Sequence, residues 1–552
     1  MAMTQRRSFV STSRFLVPGS VWLLSVFVQQ PHAAQVQQAA AAHAAVSFET
    51  SDSCLACHNG LTTPEGEDVS IGVSWRASMM ANSSRDPYWQ ASVRRETIDH
   101  PSSAKAIQDE CATCHMPMAR AAAHAAGREG DVLTLLPSAR GGTDEHRLAA
   151  DGVSCTLCHQ IGPDALGSRE SFNGGFVLGP PENGYPRMFG PFDTDEGRTA
   201  IMRSATGVQP AKSEHLRKSE MCATCHTLYT NALGPTGEVI GSLPEQVPYL
   251  EWRHSAFVAE RSCQSCHMPP APDTPIASVL GEPRDQLARH SFLGGNFFML
   301  RMLNRFRGEL GVIAPARELE AAAQATIRQL QTETASVAIA RAELTGGQLE
   351  ADLVVRNLTG HKLPTGYPSR RAWLHVTVRD AAGRLLFESG AVSAEGAISG
   401  NDNDADGARV EPHYSEIRQA DQVQIYESVM ARPDGTPTTG LLQATQFVKD
   451  NRLLPRGFNK ATAEKDIAVV GQASTDADFT EAGDRVRYVV PLAGSAGPFS
   501  IEAELRYQPI AFRWANNLRA YDAPEPRRFV GYYDAMAASS STVLARSITT
   551  VR

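Results

Sequence analysis

All ten cysteines of this chain fall into five copies of one short pattern, and none is left over. The copies are Cys54-Leu-Ala-Cys57-His58, Cys111-Ala-Thr-Cys114-His115, Cys155-Thr-Leu-Cys158-His159, Cys222-Ala-Thr-Cys225-His226 and Cys263-Gln-Ser-Cys266-His267. Cys-x-x-Cys-His is the attachment signature of c-type haem, in which two thiols form thioethers to the porphyrin and the adjacent histidine ligates the iron. On a helical turn two cysteines three apart share a face and span one porphyrin edge, while the next residue projects its imidazole toward the ring centre. Structural zinc and redox dithiols also use Cys-x-x-Cys, but neither requires a histidine after every pair. A disulfide framework would rarely confine every cysteine to the same four-residue step. With 16 histidines in 552 residues, five chance histidines at these five positions are negligible. The pattern therefore predicts five covalently attached haems c, with His58, His115, His159, His226 and His267 as proximal iron ligands.

Covalent haem attachment agrees with a second signal at the N-terminus. Arg6, Arg7 and Arg14 precede an apolar stretch from Phe15 to Val28, and Ala42-His43-Ala44 offers a small-x-small cleavage site. This is signal-peptide grammar over residues 1–44, with cleavage between about 34 and 45. The apolar part is about half a membrane span, and no internal run is long enough to cross a bilayer, so the mature chain is expected to have no transmembrane segment. The expected location is the periplasm, the cell exterior or the cell surface. Residues 1–44 contain three arginines and no acid, so their removal moves the net charge from −8 to −11. An acidic chain has no net positive field to neutralise phosphates, which argues against a nucleic-acid partner.

The motifs span 54–267, about forty residues each, too little polypeptide for an ordinary side-chain core between them. We expect an α-plus-irregular, haem-packed domain over 45–312, with little regular strand, and a helical connector over 313–346. Residues 317–345, rich in Ala, Glu, Gln, Leu and Arg, read as helix that ends at Gly346-Gly347. Beyond this the period changes. Residues 349–357, 373–379, 485–492 and 499–507 alternate or run apolar and β-branched, with turn signals between them, which predicts an all-β sandwich-like domain over 347–552.

Each haem iron needs a sixth ligand or an open site. His100, His146, His215 and His254 lie 11, 9, 7 and 9 residues before Cys111, Cys155, Cys222 and Cys263, a repeat that makes them candidate distal ligands. His290 opens a glycine-hinged turn just past the last motif that could approach a porphyrin face, and His361, in Gly360-His361-Lys-Leu-Pro-Thr-Gly366 between expected strands, reads equally as a distal ligand or as a hydrogen-bonded turn histidine. Met79, beside Met80, offers a thioether. His375 alternates with apolar residues of a strand and reads as solvent-facing. Asp402, Asp404 and Asp406, followed by Gly407, match the first half of a calcium loop, but position 12 is His413 instead of a bidentate Glu. Calcium and a solvated acidic turn are both open readings.

Several strings extend beyond the motifs: Ser78-Met-Met-Ala-Asn-Ser-Ser-Arg-Asp-Pro87, Cys111-Ala-Thr-Cys-His-Met-Pro117, Glu251-Trp252, Cys263-Gln-Ser-Cys-His-Met-Pro269, Gly360-His-Lys-Leu-Pro-Thr-Gly366 and Val448-Lys-Asp-Asn-Arg-Leu-Leu-Pro455. Together they resemble the multihaem c-type cytochromes, specifically exported pentahaem proteins distantly related to the haem domains of the hydroxylamine oxidoreductase and nitrite reductase superfamily. The resemblance implies electron transfer between redox partner proteins through closely spaced haems, mostly bis-histidine ligated. The lysine-ligated motif of pentahaem nitrite reductases is absent, since all five motifs end in His. An electron-transfer protein predicts five six-coordinate irons. The alternative is a redox enzyme in which one haem keeps an open position for a small nitrogen or sulfur oxyanion. Fold resemblance alone does not choose between them. The β domain could also dock the protein to a surface or a complex.

Overall fold

Each Cys-x-x-Cys-His sequence sits at a short helical segment, and the connections between these segments are mostly irregular. The structure is a computed structural model that describes residues 47–137 and 142–552. The export segment expected at 1–44 lies outside the described residues. Ala45–Arg552 forms one compact unit, and no described helix is long and apolar enough to cross a membrane.

The motif helices are Asp52–Leu55, Ala104–His115, Cys155–Cys158, Ser219–Ala223 and Cys263–His267. Further helices frame them. Pro87–Asp99 starts at a capping Asp86, whose Oδ1 accepts from Tyr88 N at 2.8 Å and Trp89 N at 3.2 Å, with Pro87 at the first helical position. Phe297–Arg305 buries Phe297, Phe298, Met299, Leu300, Met302 and Leu303. Among the described residues, regular strand before residue 300 amounts to short two-stranded ladders, such as Leu228–Leu233 with Val239–Gln246.

From Ala335 onward strands dominate. One sheet runs in the order Glu416–Ile417, Asp484–Pro491, Gln348–Asn357, Ala335–Thr345. The other runs Gln446–Asp450, Ile425–Ala431, Arg371–Arg379, Phe499–Gln508, Thr542–Val551, with Leu385–Ser389 also paired to Arg371–Arg379. Period-two burial makes the faces. Leu349, Ala351, Leu353 and Val355 of the first sheet and Leu374, Val376, Val378, Ile501, Ala503 and Leu505 of the second belong to one buried cluster. The same cluster continues into Phe297, Met302, Leu319 and Leu330 of the helical part.

The helix expected over 317–345 is half helix and half strand: Ala316–Glu333 is helical and Ala335–Thr345 is the edge strand of the four-stranded sheet. Gly346 and Gly347, at φ +60° and +80°, make a two-residue hairpin turn closed by the Thr345 to Gln348 pair, instead of stopping a helix. Positive φ at both central residues is the mirror-type turn whose twist suits antiparallel strands. Pairing with Gln348–Asn357 therefore overrides the helix propensity of Ala, Arg and Glu.

Candidate haem-binding cavity

The five motifs converge on one cavity of about 2330 Å³. Small-molecule pockets occupy about 300–1,000 Å³, so one small ligand does not account for this space. Nine of the ten cysteines and all five motif histidines line it; all ten cysteines are free thiols. Its walls also include segments of the strand-rich part, among them His361, Tyr367, Arg370 and Tyr507.

Thiols of different motifs touch. Cys54 lies beside Cys155, Cys222 beside Cys263, and Cys225 beside Cys114. The first motif is thus adjacent to the third, the fourth to the fifth, and the second to the fourth. The fourth motif has two such neighbours.

Four of the five motif histidines are held through one ring nitrogen. A carbonyl oxygen can only accept, so Nδ1 donates from His58 to Ile276 O (2.5 Å), from His115 to Ser83 O (3.0 Å), from His159 to Phe189 O (2.6 Å) and from His267 to Leu293 O. This fixes the tautomer that leaves Nε2 with its lone pair, the form a metal ligand needs. Trp89 stacks on the His115 ring at 4.3 Å and 3°. Burial pushes His115 and His226 down to about 4, and lowers His159 and His267, so these imidazoles are neutral at pH 7.

Two further histidines face motif histidines across the cavity. His290 and His159 have ring centroids 6.4 Å apart with planes 18° from parallel; His361 and His267 stand at 6.3 Å and 14°. Two metal–nitrogen bonds of about 2 Å plus two half-rings require a centroid separation of roughly 6 Å. His290 Nδ1 donates to Ala288 O and His361 Nδ1 to Lys362 O, both at 2.9 Å, so these rings also keep Nε2 free. Burial pushes both down to about 4. Ligand type, tautomer and spacing all fit haem iron.

The other sequence candidates are distributed differently. Met79 lines the cavity, whereas His100, His146, His215 and His254 do not. His146 Nε2 donates to Thr134 O (3.2 Å) and its Nδ1 accepts from Thr143 (2.7 Å); His215 Nε2 donates to Ile161 O (2.8 Å) and its Nδ1 accepts from Ser213 (2.6 Å). Both nitrogens of each ring are engaged. His254 Nε2 donates to Asn459 O at 3.1 Å, and His100 is the C-terminal cap of Pro87–Asp99. Three of the four upstream imidazoles are thus engaged in other contacts, whereas His100 Nε2 is buried without a hydrogen-bond partner. His375, expected to face solvent, is half-buried between Glu388 (2.9 Å) and Glu504 (3.3 Å).

In the acidic turn Asp404 pairs with buried Arg371 at 2.9 Å and accepts from Ile398 N, Asp402 pairs with Arg409 at 2.6 Å, and Asp406 accepts from Ala408 N. These carboxylates turn to separate partners instead of a common centre. His413 lies instead beside Asp476 and Asp484. Its Nδ1 accepts from Gln424 Nε2 (2.8 Å) and Asn451 Nδ2 (3.0 Å), so Nε2 carries the hydrogen and points at Asp476 Oδ2, 3.4 Å away. A protonated Nε2 is a donor to carboxylate and not a cation ligand.

Sequence reading missed the polar wall of the cavity. Glu96 and Glu245 line it, buried and pushed up to about 7 by desolvation, as do Tyr88, Tyr367 and Arg370. No local motif marks these five residues, because they come from three segments far apart in the chain. No protein-family model and no curated protein matches the chain. Among solved structures it is similar in fold to a penta-haem cytochrome c552 from Thermochromatium tepidum, with a TM-score of 0.51 and 18% identity over 91% of this chain and 98% of that one.

Proposed function

We propose that this chain is an exported multihaem c-type cytochrome that carries five covalently bound haems and passes electrons between partner proteins. The observation that carries this reading is the convergence of five Cys-x-x-Cys-His motifs on one cavity, with two facing imidazole pairs inside it. The cysteines would hold the porphyrins, the motif histidines the proximal side, and His290 and His361 the distal side of the third and fifth haems. Bound haem supplies iron that cycles between Fe(II) and Fe(III). The protein's residues keep the imidazoles neutral and oriented, exclude water and bring the attachment points together. Thiol proximity supports two rows, first with third and second with fourth with fifth, the fourth lying in the middle of its row. The strand-rich part, read as a sandwich-like domain over 347–552, supplies His361 and a candidate docking surface. A pyridine haemochrome assay of purified holoprotein should count five haems per chain; fewer than five would overturn the stoichiometry.

One observation favours a second reading, a redox enzyme with an open haem. Among the described residues only seven histidines line the cavity, so the haems at His58, His115 and His226 have no facing histidine, and Met79 is the remaining candidate named from sequence. Arg370, Tyr367, Glu96 and Glu245 line the same space. Paramagnetic resonance of the oxidised protein separates the readings. Five low-spin signals support electron transfer alone, and a high-spin signal that responds to added nitrite or sulfite supports the enzyme.

A further inference from the structure

His361 reaches the cavity from the strand-rich part of the chain, yet its partner His267 belongs to the last haem motif. Something must hold the 358–366 loop against the helical part. Four charges that are almost entirely removed from solvent meet there: Glu251 and Lys362 are 0% exposed, Asp450 2% and Arg452 7%. Lys362 Nζ donates to Asp450 Oδ2 at 2.7 Å, and Arg452 donates to both Asp450 oxygens at 2.9 and 2.8 Å. Arg452 Nη1 is 2.8 Å from Glu251 Oε1. Two cations and two carboxylates balance, as buried charges require.

Glu251 is the only member contributed by the helical part, from helix Pro248–Arg253. Its other oxygen, Oε2, accepts from Lys362 N at 3.1 Å and from Thr365 Oγ1 at 2.6 Å, one residue and four residues beyond His361. On the near side of His361 the approach is equally close: a Cβ at Gly360 would stand 3.1 Å from Phe257 and 3.3 Å from Trp252. Asn357 Nδ2 donates to His361 O at 2.6 Å and to Leu453 O at 3.0 Å, which fixes the same loop from behind.

We infer that Glu251 is a positioning residue for His361, a buried carboxylate that clamps the 360–366 loop so that the imidazole is delivered to the fifth haem from the other part of the molecule. This rests on the ligand reading above. The four-charge group is a latch, and Glu251 is the catch on which it closes.

The test uses full-length holoprotein with its haem count verified. In Glu251→Gln, one of the five haems should leave the low-spin bis-histidine population, read by paramagnetic resonance, and its midpoint potential should rise as a strong donor is lost. Glu251→Asp should return part of the low-spin signal. His361→Ala is the reference and should change the same haem completely. Thr365→Val, which removes one bond to Glu251, should reproduce the change in weaker form and decides the matter if Glu251→Gln does not accumulate. Spectra and potentials of Glu251→Gln, or in its absence Thr365→Val, that match wild type overturn the inference while leaving His361 as a ligand. A His361→Ala protein with all haems unchanged overturns the ligand reading and the latch with it.

Discussion

Residues 47–290 and residues 335–551 bury apolar surface with different material. In the second region strands supply it themselves: alternate residues such as Leu353, Val376 and Ile501 are essentially inaccessible and form one continuous cluster. In the first, separate side-chain clusters are small, for example Leu61, Val69, Ala271 and Leu287, and the motifs instead enclose some 2330 Å³. On the reading proposed above the first region is a shell around its haems, whereas the strand region has an interior of its own.

The comparison breaks most visibly if haem is withheld. Chain produced in a host lacking haem-attachment machinery should lose near-UV dichroism and become protease-sensitive across 47–290; a protected, native-like digestion pattern there would contradict the shell description. Next in size, Leu353→Ala should destabilise the strand region by about 2–5 kcal/mol in denaturant titration, with five haems retained. Equal destabilisation without a haem count change is the mark of a cofactor-independent core.

A smaller effect depends on pH. Burial pushes Asp484 of the strand region up to about 7. The usual carboxylate value is about 4, so between these values the folded state holds more protons than the unfolded one. Stability from this group is therefore lost as pH rises through about 7. Asp484→Asn should gain about 1–3 kcal/mol at pH 8 and almost nothing at pH 4, measured by urea unfolding at both values. The smallest effect is expected at the seam, where Arg94 pairs with Glu525 at 2.8 Å with the arginine about a third exposed. Arg94→Ala should cost about 0.2–1 kcal/mol and leave haem spectra unchanged, since part-exposed ion pairs contribute little.

Legibility in the sequence followed the range of the physics. The strands at 349–357, 373–379, 485–492 and 499–507 differ from those observed by one or two residues, because period-two alternation is a local signal. Ala335–Thr345 was illegible for the opposite reason: its residues favour helix, and only pairing across Gly346-Gly347 makes it a strand. Among candidate ligands, His290 and His361 face motif histidines, while the regularly spaced His100, His146, His215 and His254 lie outside the cavity. Regular spacing along a chain carries no information about which imidazole crosses to a neighbouring motif.

By itself, then, the order of residues determined the chemistry of attachment, since thiol, thiol and imidazole must be covalent neighbours within one helical turn. Tertiary structure alone decided which motifs touch, which histidines face each other and that Glu251 meets Lys362 across more than a hundred residues of chain. Those relations depend on how distant segments pack, and packing is set by the whole interior at once.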